Sequence, residues 1–334
     1  ILMDAKAPLE TPDKWSPLQT AVESGRRSTV QFLLDAKAAT EIPGTNYGVR
    51  LLSTAIQGSI KSKNDDLLRL LLDVNASLTA NRCEADVLQS VYNAGRGSTL
   101  QLLLERKASV DHVYAHNRPL LMQAVADGKI SMLKVMLDAK ADMNCSDAFG
   151  STPLMLAAEK QNYDAAKMLI EAKAPLDAVD NSGTTALAHV VNRDVVGPVD
   201  MSILDLLLNA NASLDGANNT VLLIPAYLGH SSVIRILMNA KANVNAREFY
   251  GHTPLMIATI HRRTNVIETL LNADPDSFDA HNSNGITALM LGIMNYPAPE
   301  DACMVRMLLE QARARCTAES NNDEPPAKRF KRTE

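Results

Sequence analysis

The sequence predicts an all-α solenoid of stacked antiparallel helix pairs. Three observations predict it. A marker recurs every 30 to 38 residues, a second landmark runs in phase with it, and the apolar stripes between them are too short for lone helices. The marker is an apolar pair, then an acidic or amide residue, then Ala-Lys-Ala or Lys-Ala, with its lysine at Lys6, Lys37, Lys107, Lys140, Lys173 and Lys241. Asn75, Asn211 and Asp274 hold the lysine slot in further copies.

In chain order, the second residue of each apolar pair is Met3, Leu34, Leu72, Leu104, Leu137, Ile170, Leu208, Met238, Leu271 and Leu309. Residues 1–10 carry the end of a partial repeat, and nine helix pairs follow. Ile1 lies inside a repeat, so a longer parent chain is expected. The second landmark precedes most marks by half a period. It reads Ser16-Pro17-Leu18-Gln19-Thr20-Ala21, Thr152-Pro153-Leu154-Met155-Leu156-Ala157 and Thr253-Pro254-Leu255-Met256-Ile257-Ala258. Weaker copies begin at Thr185, Val221 and Thr287. Between Ala157 and Ile170 two stripes at helical spacing flank Gln161-Asn162, which reads as two short helices and a turn. Pro153 suits a first helical turn, where its missing N–H costs nothing. Neither helix is long enough to stand alone, so each pair must bury its apolar face on the next.

The Thr-Pro-Leu landmark and the period near 33 resemble the ankyrin repeat family over roughly residues 1–316. The resemblance implies an ankyrin-repeat solenoid with projecting hairpin fingers, such as residues 144–151 and 178–184. It implies a monomeric, non-enzymatic scaffold, without cofactor or metal, that binds a protein partner through its concave face and finger loops. A substrate-targeting subunit of a larger complex, such as a ubiquitin ligase or kinase, is the alternative reading.

The chain departs from the family pattern in three ways. Extra residues at 61–65, 193–200 and 295–301 fall where each pair reverses direction, and loops there tolerate length cheaply. The family histidine that bridges neighbouring repeats is absent; Gln19, Ser53, Gln89, Met122, Met155, Ala188, Ile224, Met256 and Met290 hold its slot. Methionine fills such gaps by packing. Lysine replaces the glycine that ends the second helix in a left-handed conformation. That geometry strains a lysine by about 1 kcal/mol, and its cation at a helix C-terminus offsets about 0.3–1 kcal/mol.

Six aromatic residues fall in the expected fingers: Trp15, Tyr47, Tyr114, Phe149, Phe249 and Tyr250. Exposed aromatics anchor protein interfaces, so these are the candidate recognition residues. Asn117, Asp147, Asn181, Asn219, Arg247 and Asn282 are candidate polar contacts on the same rim.

The repeat pattern stops near Thr317. Residues 317–334 read as a disordered tail, and Lys328, Arg329, Lys331 and Arg332 follow two prolines as in a nuclear import signal. This points to an import receptor as a partner and to nucleus or cytoplasm as location. The net charge of −5 argues against direct binding of nucleic acid. The four cysteines lack any Cys-x-x-Cys spacing and suggest a reducing compartment. No apolar run is long enough to span a membrane. No phosphate-binding loop or nucleophile–base constellation stands out, so catalysis is not expected.

Overall fold

The computed structural model describes residues 16–38, 47–74, 83–106, 108–109, 111, 118–192, 201–214, 221–295 and 302–322. Among them are eighteen α-helices and no strand. In order they are α1 (Pro17–Glu23), α2 (Arg27–Asp35), α3 (Tyr47–Ser62), α4 (Asp66–Asp73), α5 (Cys83–Asn93) and α6 (Gly97–Glu105). Then come α7 (Leu120–Ala126), α8 (Ile130–Asp138), α9 (Pro153–Glu159), α10 (Tyr163–Glu171), α11 (Ala186–Val191) and α12 (Met201–Asn209). The last are α13 (Leu223–Leu228), α14 (Ser231–Asn239), α15 (Pro254–Ile260), α16 (Thr264–Ala273), α17 (Ala288–Asn295) and α18 (Ala302–Asn322).

The chain forms two compact units, residues 1–157 with 164–174, and residues 158–163 with 175–334. In the first, α1 packs on α3 and α3 on α5, while α2 packs on α4 and α6 on α8. In the second, α13 packs on α15 and α15 on α17, while α14 packs on α16 and α16 on α18. First helices therefore stack on first helices and second on second, which is how short helices bury a face that none could bury alone. The core is what the periodicity predicts: Leu18, Val22, Leu121, Val125, Leu133, Met136, Leu255, Ile267 and Leu270 are all buried.

The start of the first helix is set by the landmark. The hydroxyls of Ser16, Thr152, Thr185, Thr253 and Thr287 accept the backbone N–H three residues on, from Gln19, Met155, Ala188, Met256 and Met290. Pro17 and Pro254 take the first helical position. Four of these capping hydroxyl residues, Ser16, Thr152, Thr185 and Thr253, are buried, so each cap also satisfies a donor that water cannot reach.

The end of the second helix is set by the marker. Lys37, Lys140, Lys173 and Lys241 lie at φ 61, 61, 70 and 69°, and Asn211 at φ 64°. Each donates its N–H to the carbonyl three residues back, at Leu34, Leu137, Ile170, Met238 and Leu208. The alanine after each reaches five residues back, to Leu33, Met136, Leu169, Leu237 and Leu207, at 2.9–3.0 Å. This is the Schellman ending. It turns the following alanine inward: Ala38, Ala141, Ala174 and Ala212 are buried. The lysines adopt the glycine geometry, as the sequence predicts. Lys6, Asn75 and Lys107 lie outside the described residues.

Asp274 does not follow them. It is extended, at φ −140° and ψ 91°, because Pro275 follows it and excludes helical backbone from the residue before it. The extra residues at 61–65 also depart from a simple loop. Lys61 and Ser62 lengthen α3 to 16 residues, and Asp65 turns inward. Its carboxylate accepts hydrogen bonds from Ser59, from Thr99 at 2.7 Å and from Ser98 at 2.9 Å, and pairs with Arg96 at 3.3 Å. Burial raises the Asp65 carboxyl, but those three hydroxyls and Arg96 outweigh it and hold it below the usual range. The insertion thus ties α3 to α6. The extra residues at 193–200, and those at 296–301, lie outside the described residues.

At the C-terminal end α18 continues to Asn322, past Thr317 where the pattern stops. Ala, Glu and Ser are tolerable helix residues, and the first helix breaker is Pro325. Lys328, Arg329, Lys331 and Arg332 lie outside the described residues.

Glycine accepts the left-handed slot freely, whereas alanine keeps the strain and lacks the cation. Lys140→Gly should therefore stabilise the chain by about 0.5–1 kcal/mol and Lys140→Ala destabilise it by about 0.5 kcal/mol. Urea midpoints ordered Gly above Lys above Ala express this outcome.

Candidate finger and groove surface

Four fingers share one construction. In 147–151, 180–184, 248–252 and 282–286 the first residue donates its N–H to the carbonyl of the fifth, at 3.2, 3.1, 3.2 and 3.0 Å. The fourth is Gly150, Gly183, Gly251 or Gly285, at φ 74–79°. Each donates back to the first residue's carbonyl. A side-chain oxygen of the first residue then ties the finger from inside. Asp147 accepts from the N–H of Phe149 and Ser151, Asp180 from Ser182 and Thr184, and Asn282 from Asn284 and Ile286. Glu248 accepts from the N–H of His252.

This construction sorts the sequence-predicted site residues. Asp147 and Asn282 are finger builders, since one oxygen of each accepts the finger's own backbone N–H groups; the other Asp147 oxygen pairs with Arg118 at 3.7 Å, and Asn282 is 5% exposed. Asp147 also lines the groove beside the Phe149 finger. The second and third finger positions project instead. They hold Ala148-Phe149, Asn181-Ser182, Phe249-Tyr250 and Ser283-Asn284. Phe149 is 74% exposed, Phe249 92% and Tyr250 66%. The Phe249 and Tyr250 rings meet edge to face at 5.4 Å. Asn181 is exposed at its tip. Arg247 is also exposed, and its guanidinium donates to the His281 carbonyl of the next finger. Tyr47 is the first residue of α3, not a finger residue. Trp15, Tyr114, Asn117 and Asn219 lie outside the described residues.

Neighbouring fingers in the second unit are locked together. Ser283 donates its N–H to the Tyr250 carbonyl at 3.3 Å. The Asn282 oxygen is occupied by two N–H groups, so its amide nitrogen donates to His252 Nε2 at 3.2 Å. His252 Nδ1 then carries the proton and donates to Glu248 at 2.6 Å. Burial raises the Glu248 carboxyl, but the N–H of Tyr250, the His252 ring and the His252 N–H hold it below the usual range. Asp180 is lowered likewise: the Thr184 and Ser182 N–H groups, with His189 at 2.9 Å, outweigh its burial.

In the first unit a groove of about 620 Å³ opens beside the Phe149 finger. Gln89 and Asn93 of α5, Gln123 and Asp127 of α7, and Arg118 line it with Phe149. Asp127 is held in place: the Tyr92 hydroxyl donates to it at 2.7 Å, and the Lys129 ammonium sits 4.0 Å over the Tyr92 ring. Gln89 donates to Asn93, while its own carbonyl oxygen is buried without a partner. The residue-by-residue reading missed Asn93, Arg118, Gln123 and Asp127. The signal was there as polar residues at i and i+4, 89 with 93 and 123 with 127, on helices whose other faces are apolar.

Burial, with Asp142 and Asp111 nearby, pushes the Cys145 thiol up to about 12.

A sequence profile describing ankyrin repeats in three copies matches residues 121–197 and again 197–279. The solved structure of an ankyrin repeat domain from Acinetobacter baumannii is 28% identical, with a TM-score of 0.50. The match covers 57% of this chain and 97% of that one. The chain is an ankyrin repeat protein. The solved ankyrin repeat protein EF0377 shares the fold at 19% identity, with a TM-score of 0.51 over 57% of this chain and 98% of that one. No curated protein matches the chain. Ankyrin repeats mediate protein–protein interaction and are typically non-enzymatic modules.

In this ankyrin repeat chain the gap between neighbouring fingers admits no side chain at Gly251. A Cβ there would lie 2.7 Å from Ser283 Oγ and 2.8 Å from its N, at φ 79°. Gly285, at φ 75°, has nothing within 4 Å. Gly251→Ala should cost about 2–3 kcal/mol and Gly285→Ala about 1 kcal/mol, read from urea midpoints. The finger carboxylates add an acid limit. Their folded pKa values are depressed, so their stabilisation is complete above the unfolded values of about 4 and is lost as pH falls through the folded ones. Stability should fall between about pH 5 and pH 3. Asp180→Asn, which keeps the Asn282 pattern without a titrating group, should make that fall shallower.

Proposed function

We propose that the chain is a protein-binding scaffold. A partner lies in the groove formed by α5, α7 and the Phe149 finger of the first unit, and the Phe249-Tyr250 finger is a separate anchor surface of the second. The observation that carries this reading is the division of labour within the fingers. The inner side chains and glycines build a fixed frame, and the frame holds three large aromatic rings out in water. Apolar rings held in place at a tip gain contact area with little ordering cost on binding. The amide and charged residues of the groove would supply orientation through hydrogen bonds.

Aromatic anchors of this type commonly carry about 2 kcal/mol or more each, or about thirtyfold in affinity. Affinity capture with the intact chain, compared with Phe149→Ala and with Phe249→Ala/Tyr250→Ala, tests the assignment. The rings project into solvent, so the variants should keep the wild-type urea midpoint while losing captured partner. Retention of every partner by both variants would refute the finger assignment.

A further inference from the structure

We propose that the end face of α17 and α18 is a self-association surface that takes a second copy of this chain about a two-fold axis.

Two positions of the first helix are consumed in stacking: the former histidine slot and the residue three further on. In α1, α7, α9, α11 and α15 both are buried, as Gln19 and Val22, Met122 and Val125, Met155 and Ala158, Ala188 and Val191, Met256 and Thr259. In α17 the same two positions are Met290 and Ile293. They are 50% and 53% exposed, and Met294 beside them is 66% exposed. Among the described residues, only Tyr227 of α13 is comparably open at the second position, and its ring is stacked edge-on by His261 at 4.4 Å.

The opposite side of α17 is fully used. Gly292 is buried, and a Cβ there would touch Thr259 of α15 and Leu308 of α18 at 3.6 Å and Met304 of α18 at 3.7 Å. The open stripe therefore continues the interface by which α15 holds α17. On α18, Leu309 is 39% exposed; at the same repeat position Leu72 and Leu271 are buried, and Leu34, Leu104, Leu137, Ile170, Leu208 and Met238 are half-buried.

The charges flanking Leu309 favour a copy of the same face as occupant. Arg306, Leu309, Glu310 and Arg313 follow one another at helical spacing along one stripe. Arg306 and Glu310 pair at 2.9 Å, both exposed. An antiparallel two-fold mate places Arg306 of each copy opposite Glu310 of the other, so the pattern complements itself. Methionine side chains adapt readily to a mirrored neighbour.

The test is sedimentation equilibrium of the intact chain across a concentration series. The expected result is a reversible species of twice 36.2 kDa. Met290→Gln with Ile293→Thr installs residue types already used at Gln19 and Thr259, so folding is preserved. It should weaken association at least tenfold at an unchanged urea midpoint. Arg306→Glu should also weaken it, and adding Glu310→Arg should restore it. A single-chain mass at every concentration, or a dimer indifferent to the Met290/Ile293 change, would overturn the proposal.

Discussion

Everything in this fold depends on ending a nine-residue helix within one residue and returning the chain to the core. The left-handed residue does that. With Lys140 at φ 61°, the N–H groups of Lys140 and Ala141 close on Leu137 and Met136, and Ala141 lands buried. Without that reversal the helix carbonyls are left open and the next finger starts in the wrong direction. The first helix uses the same device, with Gly25, Gly95, Gly128 and Gly229 at positive φ, and with Gln161 and Arg262 in its place elsewhere. The lysine version keeps the geometry at a strain that its own cation partly offsets.

A fixed reversal is what makes the fingers useful. Each finger spends its first and fourth residues on its own shape, and this leaves the second and third to project. The stacking enforces further economy: Gly251 is required because Ser283 of the next finger lies against it, and Asp65 is held because three hydroxyls and an arginine from neighbouring helices converge on it. Rigidity at the base lets exposed rings such as Phe249 and Tyr250 serve a partner instead of collapsing on the chain. The same stacking rule also exposes what it leaves uncovered, which is why Met290 and Ile293 stand out.

Periodic features were legible in the sequence. The marker interval gave the helix pairs, the proline of the Thr-Pro-Leu landmark gave the first helical turn, and the lysine slot gave the left-handed residue. Features that depend on a neighbour were not. Asp147 and Asn282 read as polar rim residues because nothing in their own segment shows that the backbone N–H groups two and four residues on turn back to them. Asp274 shares the marker frame, yet Pro275 removes the geometry. The added residues after Ile60 read as loop, while their helix propensity extends α3 and a contact with α6 fixes Asp65. The groove escaped notice because its liners are spread over α5, α7 and a finger, and only folding brings them together.

Amide hydrogen exchange at the alanine after each left-handed residue tests the central claim most directly. If the reversal is hydrogen-bonded as described, Ala141, Ala174 and Ala212 exchange as slowly as interior helix amides of α8, α10 and α12, because each is held at 2.9–3.0 Å by a carbonyl five residues back. Exchange as fast as that of the projecting tip residues Asn181 and Phe249 would show that the helices fray at lysine and asparagine, and the account of how this chain turns would fail.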